Sequence, residues 1–343
     1  MLTLRTRIDI MARLGELFQD RTSDRWQAIM HKAYVHNKWF TIENINVSFD
    51  AIANAFLERS KLENWLVDYD IPEERKEAKA VAIIMAGNIP MVGFHDLLCV
   101  FMAGHKAQLK VSDKDKILIP FVISLLEEID PATAGYFEIV EKLEKFDAVI
   151  ATGSDNSSRY FETYFSKYPN IIRKNRNSVA VLTGEETRDE LVALGKDVFR
   201  YFGLGCRNVS KVYLPEGYNF EPLLEALHEY REIQHHDKYK NNFDYNYTLL
   251  ILNQIVYKAN GCIIMTEDKA IVSRIACLHY EFYNNNNTST LEKELTDSLE
   301  KIQCIVGKEE SLSLTTVKFG EAQEPGLKDY ADGVDTMAFL AGI

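Results

Sequence analysis

The stretch that decides the fold is Ala80-Val-Ala-Ile-Ile-Met-Ala-Gly-Asn-Ile-Pro90. Its first six residues are wholly apolar, and turn-forming glycine, asparagine and proline residues follow closely. A short apolar run that stops at such residues is typical of a strand buried on both faces of a parallel sheet. We therefore expect a parallel α/β sheet to begin here, with polar groups placed where its first strand ends.

Strand-like and helical patterns alternate downstream of this run. The segments are, in order, a helix at 92–102, a strand at 106–110, a helix at 117–129, a strand at 146–150 and a helix at 159–165. This alternation predicts a doubly wound nucleotide-binding domain, in which ligands bind at the carboxyl ends of the strands. Neither GxGxxG nor GxxxxGK[ST] occurs in the chain, so the usual dinucleotide fingerprint and the P-loop are both missing.

The remaining organisation follows from pattern and composition. We expect a helical segment at 1–75 with Ser48 capping one of its helices, a Rossmann-like nucleotide-binding domain at 76–175, and a second α/β domain at 176–343. A net charge of -12 argues against nucleic-acid or anionic-membrane surfaces. With no apolar signal core and no membrane-length apolar run, we expect a cytoplasmic protein. The five cysteines are scattered without a CxxC pair, which predicts reduced thiols and no zinc site.

A second informative stretch is Tyr201-Phe-Gly-Leu-Gly-Cys206-Arg-Asn-Val-Ser210. A helical pattern enters it from Glu186, and the strand-like run Lys211–Leu214 leaves it. Its two glycines allow backbone conformations that side chains disfavour, and a thiol on such a turn is placed to act as a nucleophile. The alternative is a buried, inert cysteine that follows a helix end.

The order of these landmarks resembles that of the aldehyde dehydrogenase superfamily. The landmarks are Gly87-Asn-Ile-Pro90, Lys110-Val-Ser-Asp113, Thr152-Gly-Ser154 and Gly203-Leu-Gly-Cys206. Three longer stretches look like the acyl-CoA reductase family, which includes the fatty-acid reductase of bacterial bioluminescence: 86–97, 203–211 and 329–335. The resemblance spans roughly residue 80 to the end of the chain. It implies an aldehyde dehydrogenase-like fold with a nucleotide-binding domain and a catalytic domain.

The resemblance also implies roles for individual residues. Cys206 would take an acyl group as a thioester, and Asn88 would donate its side-chain amide to the oxyanion together with the Cys206 backbone N–H. The residues implied in cofactor binding are Lys110, Ser112, Asp113, Thr152, Gly153 and Ser154. The relatives use NADPH, which we expect here, although the charge of Asp113 would favour NADH by repelling a ribose 2′-phosphate.

One departure from the superfamily pattern bears on the direction of the reaction. Aldehyde-oxidising members carry a glutamate, within Glu-Leu-Gly-Gly-Lys, that activates water. The corresponding stretch here, 171–177, has no carboxylate, and none occurs from Thr163 to Gly184. Without a base to activate water, the acyl group would survive to be reduced. The expected reaction is therefore reduction of an acyl-CoA or acyl-protein thioester to an aldehyde.

Other functions are compatible with the same residues. One is reduction of an acyl phosphate, and another is a non-catalytic partner subunit of an acyl-activating enzyme with Cys206 inert. As partners we expect an acyl-CoA or acyl-carrier substrate, an acyl-activating enzyme and a second copy of the chain.

Several polar clusters have structural as well as functional interpretations. The basic cluster Arg173, Lys174 and Arg176 could meet phosphates or lie in a solvated loop. His95 could assist proton transfer or sit in the core. His235-His-Asp237 is a weak metal candidate, because no cysteine or second histidine pair lies at a suitable spacing. For the aspartates at 329, 332 and 335, capping and turn formation are favoured over metal binding.

Overall fold

The computed structural model describes residues 2–285, 287–309 and 312–343. Its N-terminal part is helical, as predicted, with α1 (Leu4–Gln19), α2 (Asp24–His36), α3 (Ile42–Phe56) and α4 (Arg59–Leu66). The predicted cap was wrong. Thr41 caps α3 by accepting the Asn44 N–H at 3.2 Å, whereas Ser48 lies inside that helix. Ser48 is buried, and its hydroxyl donates to the Pro90 carbonyl at 2.8 Å instead.

A parallel sheet follows, with helices between several of its strands. Its elements are β1 (Ala80–Ile84), α5 (Phe94–Met102), β2 (Lys106–Lys110), α6 (Leu118–Ile129), β3 (Phe137–Ile139), β4 (Ala148–Thr152), α7 (Asp155–Phe165) and β5 (Asn170–Arg173). The strand order is β3-β2-β1-β4-β5. Val81 and Ile83 of β1 join the core with α5 and α6, while Ala82 packs on the other face with Phe165 of α7. Both faces of the sheet are therefore covered, which confirms the doubly wound arrangement.

A second sheet is built from the later residues. Its elements are β6 (Asn177–Val181), α8 (Arg188–Phe199), β7 (Val209–Pro215), α9 (Phe220–His228), α10 (Asp237–Leu252), β8 (Tyr257–Ala259), β9 (Ile264–Glu267), β10 (Cys277–Tyr283), α11 (Ser289–Asp297) and β11 (Ile302–Val306). The order is β11-β6-β7-β10-β9-β8, parallel except for the β8–β9 pair. The sequence pattern at 267–278 predicts a helix, and this prediction is wrong: β10 begins at Cys277 and pairs with β7 and β9. Leu278 and Tyr280 alternate with more exposed neighbours, which is the period of a strand.

The chain divides into two compact units, which we call unit 1 (Met1–Asn175 and Pro325–Ile343) and unit 2 (Arg176–Glu324). The predicted catalytic domain ran to residue 343, but the structure places the tail in unit 1. Leu327, Tyr330 and Leu340 bury their side chains in the core of that unit, and the last helix, α12 (Thr336–Ala341), packs against α5. Among the described residues, no helix is both long and apolar enough to cross a membrane.

Candidate active site

The loops that follow β1, β2 and β4 meet at one edge of the unit 1 sheet. Ile84 at the end of β1 pairs with Lys110 on one side and Ala151 on the other. The Met85 N–H donates to the Lys110 carbonyl at 3.1 Å. A Cβ on Gly87 would overlap the Ser112 side chain. The loop after β1 therefore contacts the loop after β2 at a position where only glycine fits. The structure thus brings together the predicted positions Asn88, Lys110–Asp113 and Thr152–Ser154.

Asn88 is half-buried in a turn with an unusual backbone. Met91, at the end of this turn, has φ 61°, a left-handed value that residues other than glycine rarely adopt. Two buried side chains hold the turn: Asp115 Oδ2 accepts the Met91 N–H at 3.0 Å, and Ser48 donates to the Pro90 carbonyl. Burial raises the pKa of Asp115 to about 7. The support around Asn88 is therefore buried and polar.

At the end of β2, Lys110 and Asp113 are exposed and Ser112 is half-buried, and all three bond to neighbouring protein groups. The Lys110 ammonium donates to the carbonyl of Glu141, and Ser112 Oγ accepts the Lys114 N–H at 3.3 Å. Asp113 pairs with Lys116 at 2.6 Å, and the hydrogen bond from that ammonium lowers the pKa of Asp113. The negative charge of Asp113 is thus partly offset by a neighbouring lysine.

The Thr152–Ser154 turn leads into a helix. Ser154 caps α7 by accepting the Ser157 N–H at 3.3 Å. A Cβ on Gly153 would lie 2.8 Å from the Phe161 ring, so a larger residue would push the turn away from the helix. This turn therefore sits at a helix N-terminus, where the peptide dipoles favour an anion.

His95 is half-buried against aromatic side chains, which agrees with the structural interpretation of this residue. Its ring packs among Phe56, Trp65 and Tyr330, and Nε2 donates to the Leu327 carbonyl at 3.1 Å. Burial lowers the pKa of His95 to about 4, so the ring is neutral near pH 7.

The three residues of the basic cluster make separate bonds within their own units. Arg173 is buried and pairs with Asp96 at 2.5 Å, while its second nitrogen donates to Thr336 Oγ1 at 2.9 Å. Lys174 pairs with Glu162 at 2.9 Å. In unit 2, Arg176 donates to backbone carbonyls, including that of Leu299. Each of the three cations thus has its own protein partners.

Cys206 lies in unit 2, on the turn between α8 and β7. After α8 ends, Tyr201, Phe202 and Gly203 all have left-handed backbones, with φ of 53°, 60° and 74°. For the two aromatic residues this conformation costs about 1–2 kcal/mol each. Cys206 itself is half-buried. The candidate nucleophile therefore follows a strained turn, which is a common feature of functional sites.

Two polar side chains missed by sequence reasoning hold this turn. The buried Asn208 accepts the Gly205 N–H on Oδ1 at 2.8 Å, and its Nδ2 donates to the Arg200 carbonyl at 2.9 Å. Ser178, at the start of β6, donates its hydroxyl to the Cys206 carbonyl at 3.2 Å. Ser178 is marked in the sequence as a polar residue at the start of the apolar β6 run, whereas Asn208 lies before β7, where no local pattern marks it.

Three of the other cysteines, Cys99, Cys262 and Cys277, have raised pKa values. All five are thiols, and Cys99 and Cys262 are buried. Burial raises the pKa of Cys99, and it raises those of Cys262 and Cys277 to about 11. A high pKa keeps a thiol protonated, and only the thiolate is a good nucleophile.

The remaining polar clusters form caps and turns. His236 caps α10 by accepting the Tyr239 N–H at 3.3 Å. Asp335 caps α12 through the Ala338 N–H at 2.8 Å, and Asp329 accepts the Gly326 N–H at 2.7 Å. Within the described part of the chain, no group of three or more candidate ligands could hold a metal ion.

Comparison with solved structures agrees with this architecture. The chain is similar to aldehyde dehydrogenase 21 from Physcomitrella patens in complex with succinate (TM-score 0.66, 12% identity, 91% of this chain and 74% of that one). It is also similar to an NAD+ complex of the Bacillus cereus enzyme (0.64, 11%, 91% and 73%) and to a Mycobacterium tuberculosis aldehyde dehydrogenase complexed with NAD+ (0.64, 13%, 90% and 74%). Neither a family model nor the sequence of a curated protein matches this chain. The chain thus has the aldehyde dehydrogenase-like α/β fold, as its sequence predicted.

Proposed function

We propose that this protein is a nicotinamide-dependent oxidoreductase that reduces a fatty acyl thioester to an aldehyde through an acyl-enzyme on Cys206. The observation that carries the proposal is the Cys206 turn: a half-buried thiol after consecutive left-handed residues, in a chain with an aldehyde dehydrogenase-like fold. Strain of this kind persists where the surroundings enforce a geometry. A purely structural cysteine would not need it.

The surroundings of Cys206 favour reduction over hydrolysis. Ser178 contacts the Cys206 carbonyl, so β6 begins beside the candidate nucleophile. The sequence that leads into β6, Asn175-Arg-Asn177, contains no carboxylate, and none occurs from Thr163 to Gly184. A general base must reach its water through a hydrogen bond. The segment in which oxidising relatives carry that base therefore cannot supply one here.

The chemistry proposed for Cys206 is acyl transfer followed by release. Its thiolate attacks the carbonyl carbon of the acyl thioester, the new C–S bond forms, and the carrier thiol leaves as a thiolate. A bound nicotinamide supplies the hydride that converts the acyl group into an aldehyde. Cys206 then leaves as a thiolate and is ready for the next acyl group. The role of Asn88 as an oxyanion donor stays an implication of the resemblance, because Asn88 belongs to unit 1 and Cys206 to unit 2.

The edge of the unit 1 sheet suits a dinucleotide. In the order β3-β2-β1-β4-β5 the succession of strands reverses between β1 and β4, and open parallel sheets bind ligands at such a switch point. Thr152–Ser154 presents a helix N-terminus for a phosphate, and Lys110 and Asp113 offer a donor and an acceptor for ribose hydroxyls. Two of the similar structures are NAD+ complexes, which supports a nicotinamide cofactor. We propose NADPH, because Lys116 offsets the charge of Asp113.

The acyl donor and the partners are part of the same proposal. We propose acyl-CoA or an acyl-carrier protein as donor, an acyl-activating enzyme as its source, and a homo-oligomer as the working form. An acyl phosphate is less well supported, because Arg173 and Lys174, the unit 1 members of the predicted basic cluster, pair with Asp96 and Glu162.

Mass spectrometry of the intact protein tests the proposal. After incubation with a medium-chain acyl-CoA we expect one acyl adduct on Cys206, which disappears on addition of NADPH as an equal amount of aldehyde forms. Cys206→Ser should abolish the adduct, whereas the matched variant Cys277→Ser, at another half-buried thiol of unit 2, should retain it. An adduct on another cysteine, or none with acyl-CoA and acyl-carrier protein alike, would refute the proposal. An adduct formed only from an acyl phosphate would favour the alternative reductase.

A further inference from the structure

We infer that Asn208 is a positioning residue for Cys206, which it serves by clamping the turn that carries the thiol. The inference rests on the proposed role of Cys206 and assigns a function to a side chain two residues further along the chain. Asn208 is 1% exposed, so its amide cannot be satisfied by bulk water. All of its hydrogen-bonding capacity must be met inside the protein.

The amide of Asn208 joins the two ends of the strained turn. On the near side, Nδ2 donates to the carbonyls of Asp197 and Arg200, both at 2.9 Å, where α8 ends. On the far side, Oδ1 accepts the Gly205 N–H at 2.8 Å. The left-handed residues Tyr201 and Phe202 lie between these contacts. One side chain thus holds together the backbone on both sides of an unfavourable conformation.

The backbone N–H of Asn208, which an alanine at this position would keep, sets the direction of the Cys206 amide. The Asn208 N–H donates to the Gly205 carbonyl at 3.1 Å, so the Gly205–Cys206 peptide group is fixed by its oxygen. The N–H and C=O of a trans peptide point in opposite directions. The Cys206 N–H is therefore turned away from Asn208. Ser178 holds the next carbonyl along, that of Cys206, at 3.2 Å, so both peptide groups that flank the nucleophile are oriented by named partners.

This arrangement matters for acyl transfer because orientation is a large part of its rate. A thiol and a backbone N–H must face the same carbonyl group for the developing oxyanion to be stabilised. If the clamp is removed, the strained turn can relax, and the thiol and the amide no longer share a fixed geometry. The thiol itself remains, which separates positioning from nucleophilicity.

The chain offers a matched control in Asn246. It belongs to the same unit and is 3% exposed. Its amide also bonds to backbone, donating to the Ile275 carbonyl at 2.9 Å, and its oxygen accepts from Arg274. Replacing either asparagine by alanine removes a buried amide, but only Asn208 bonds to the residues that flank Cys206.

Single-turnover acylation by acyl-CoA, read by mass spectrometry, tests the inference. We expect Asn208→Ala to slow acylation of Cys206 by about 100-fold with the KM for acyl-CoA little changed, while alkylation of the same thiol by iodoacetamide changes far less. Asn246→Ala should leave both rates near wild type, and Asn208→Ser, which retains a hydrogen-bonding hydroxyl, should recover part of the acylation rate. Wild-type acylation by Asn208→Ala, or an equal loss in both alanine variants, would overturn the inference.

Amide hydrogen exchange separates failure of this inference from failure of the proposed function. The Gly205 amide should be protected in the wild type and lose that protection in Asn208→Ala but not in Asn246→Ala. If the wild type cannot be acylated at all, the proposed function fails, and the exchange result still decides whether Asn208 holds the turn. Rapid exchange of Gly205 in the wild type would overturn the clamp, even if Asn208→Ala does not fold.

Discussion

Replacing Asp115 by asparagine should change how the stability of unit 1 depends on pH. Asp115 is 3% exposed and supports the Asn88 turn, since it accepts N–H groups from Met91 at 3.0 Å and Leu118 at 3.3 Å. Burial raises its pKa from 3.8 to about 7, despite these two hydrogen bonds, which act in the opposite direction. Desolvation therefore outweighs hydrogen bonding at this carboxyl group.

The sign follows from which state of the protein holds the proton. Between pH 4 and pH 7, the folded protein keeps Asp115 protonated while the unfolded chain has lost that proton. Stability therefore falls as pH rises through this window. The difference between 3.8 and about 7 corresponds to on the order of 4 kcal/mol across the window. Asparagine does not titrate, so the Asp115→Asn variant should lack this loss, whatever constant offset the substitution adds.

Urea denaturation followed by tryptophan fluorescence measures this effect selectively. All three tryptophans, Trp26, Trp39 and Trp65, belong to unit 1. Asp197→Asn is the matched control, because burial also raises the pKa of that carboxyl group, to about 6, but it lies in unit 2. The free energy of unfolding of wild type minus that of Asp115→Asn should fall steadily from pH 4 to pH 7. A difference that stays flat with pH would refute the reasoning.

Two further substitutions test the packing of each unit. Asp96→Asn leaves the buried Arg173 without its counter-charge and should lower the free energy of unfolding by about 3–5 kcal/mol in the same urea assay. The control is Glu16→Gln, at an ion pair with both partners 62% exposed, which should cost less than about 1 kcal/mol. Equal losses in the two variants would show that burial does not matter here. Gly195→Ala places a Cβ 2.1 Å from an atom of the Tyr230 ring and should cost about 1–3 kcal/mol by thermal denaturation. Gly135→Ala, where nothing lies within 4 Å of the new Cβ, should be close to neutral, and similar melting shifts for both glycines would contradict the packing argument.

The strand whose own sequence predicted it most directly is β1, which is buried on both faces. The pattern places β1 within one residue and predicts β2 with the bounds it has in the structure. A strand such as β1 carries its own signal, because every residue must be apolar or small. β2 shows the alternation of a strand instead, with Ala107 and Leu109 buried between more exposed polar residues. β3 and β5 were missed since they are only three and four residues long. Arg173 of β5 is buried only because Asp96, 77 positions earlier, neutralises it, and local patterns cannot show such a partner.

The error at 267–278 has a similar cause. The pattern predicts a helix from Glu267 to Leu278, yet residues 268–276 form a loop that leads into β10. β10 is central in its sheet, between β7 and β9. Position in a sheet is set by pairing with distant strands, so the signal for this strand lies largely outside its own sequence.

The candidate site shows the same limit. The strand patterns predicted that Asn88, Lys110 and the Thr152–Ser154 turn lie at the ends of neighbouring strands, because strand ends can be recognised from the local sequence. Asp115 and Asn208 were missed, although both are buried and contact the predicted turns. Their roles depend on which backbone groups they meet, and this information exists only once the chain has folded.

The two predicted turns are built on one principle. Residues other than glycine adopt left-handed backbone conformations at Met91 in unit 1 and at Tyr201 and Phe202 in unit 2. In each case a buried polar side chain from outside the turn accepts a backbone N–H, Asp115 in one unit and Asn208 in the other. Glycine would relieve the strain but would also leave the turn free to move. A strained turn held by a buried polar side chain is more rigid. Rigidity favours acyl transfer, because misplacement of the reacting groups by about 1 Å can lower the rate 100-fold.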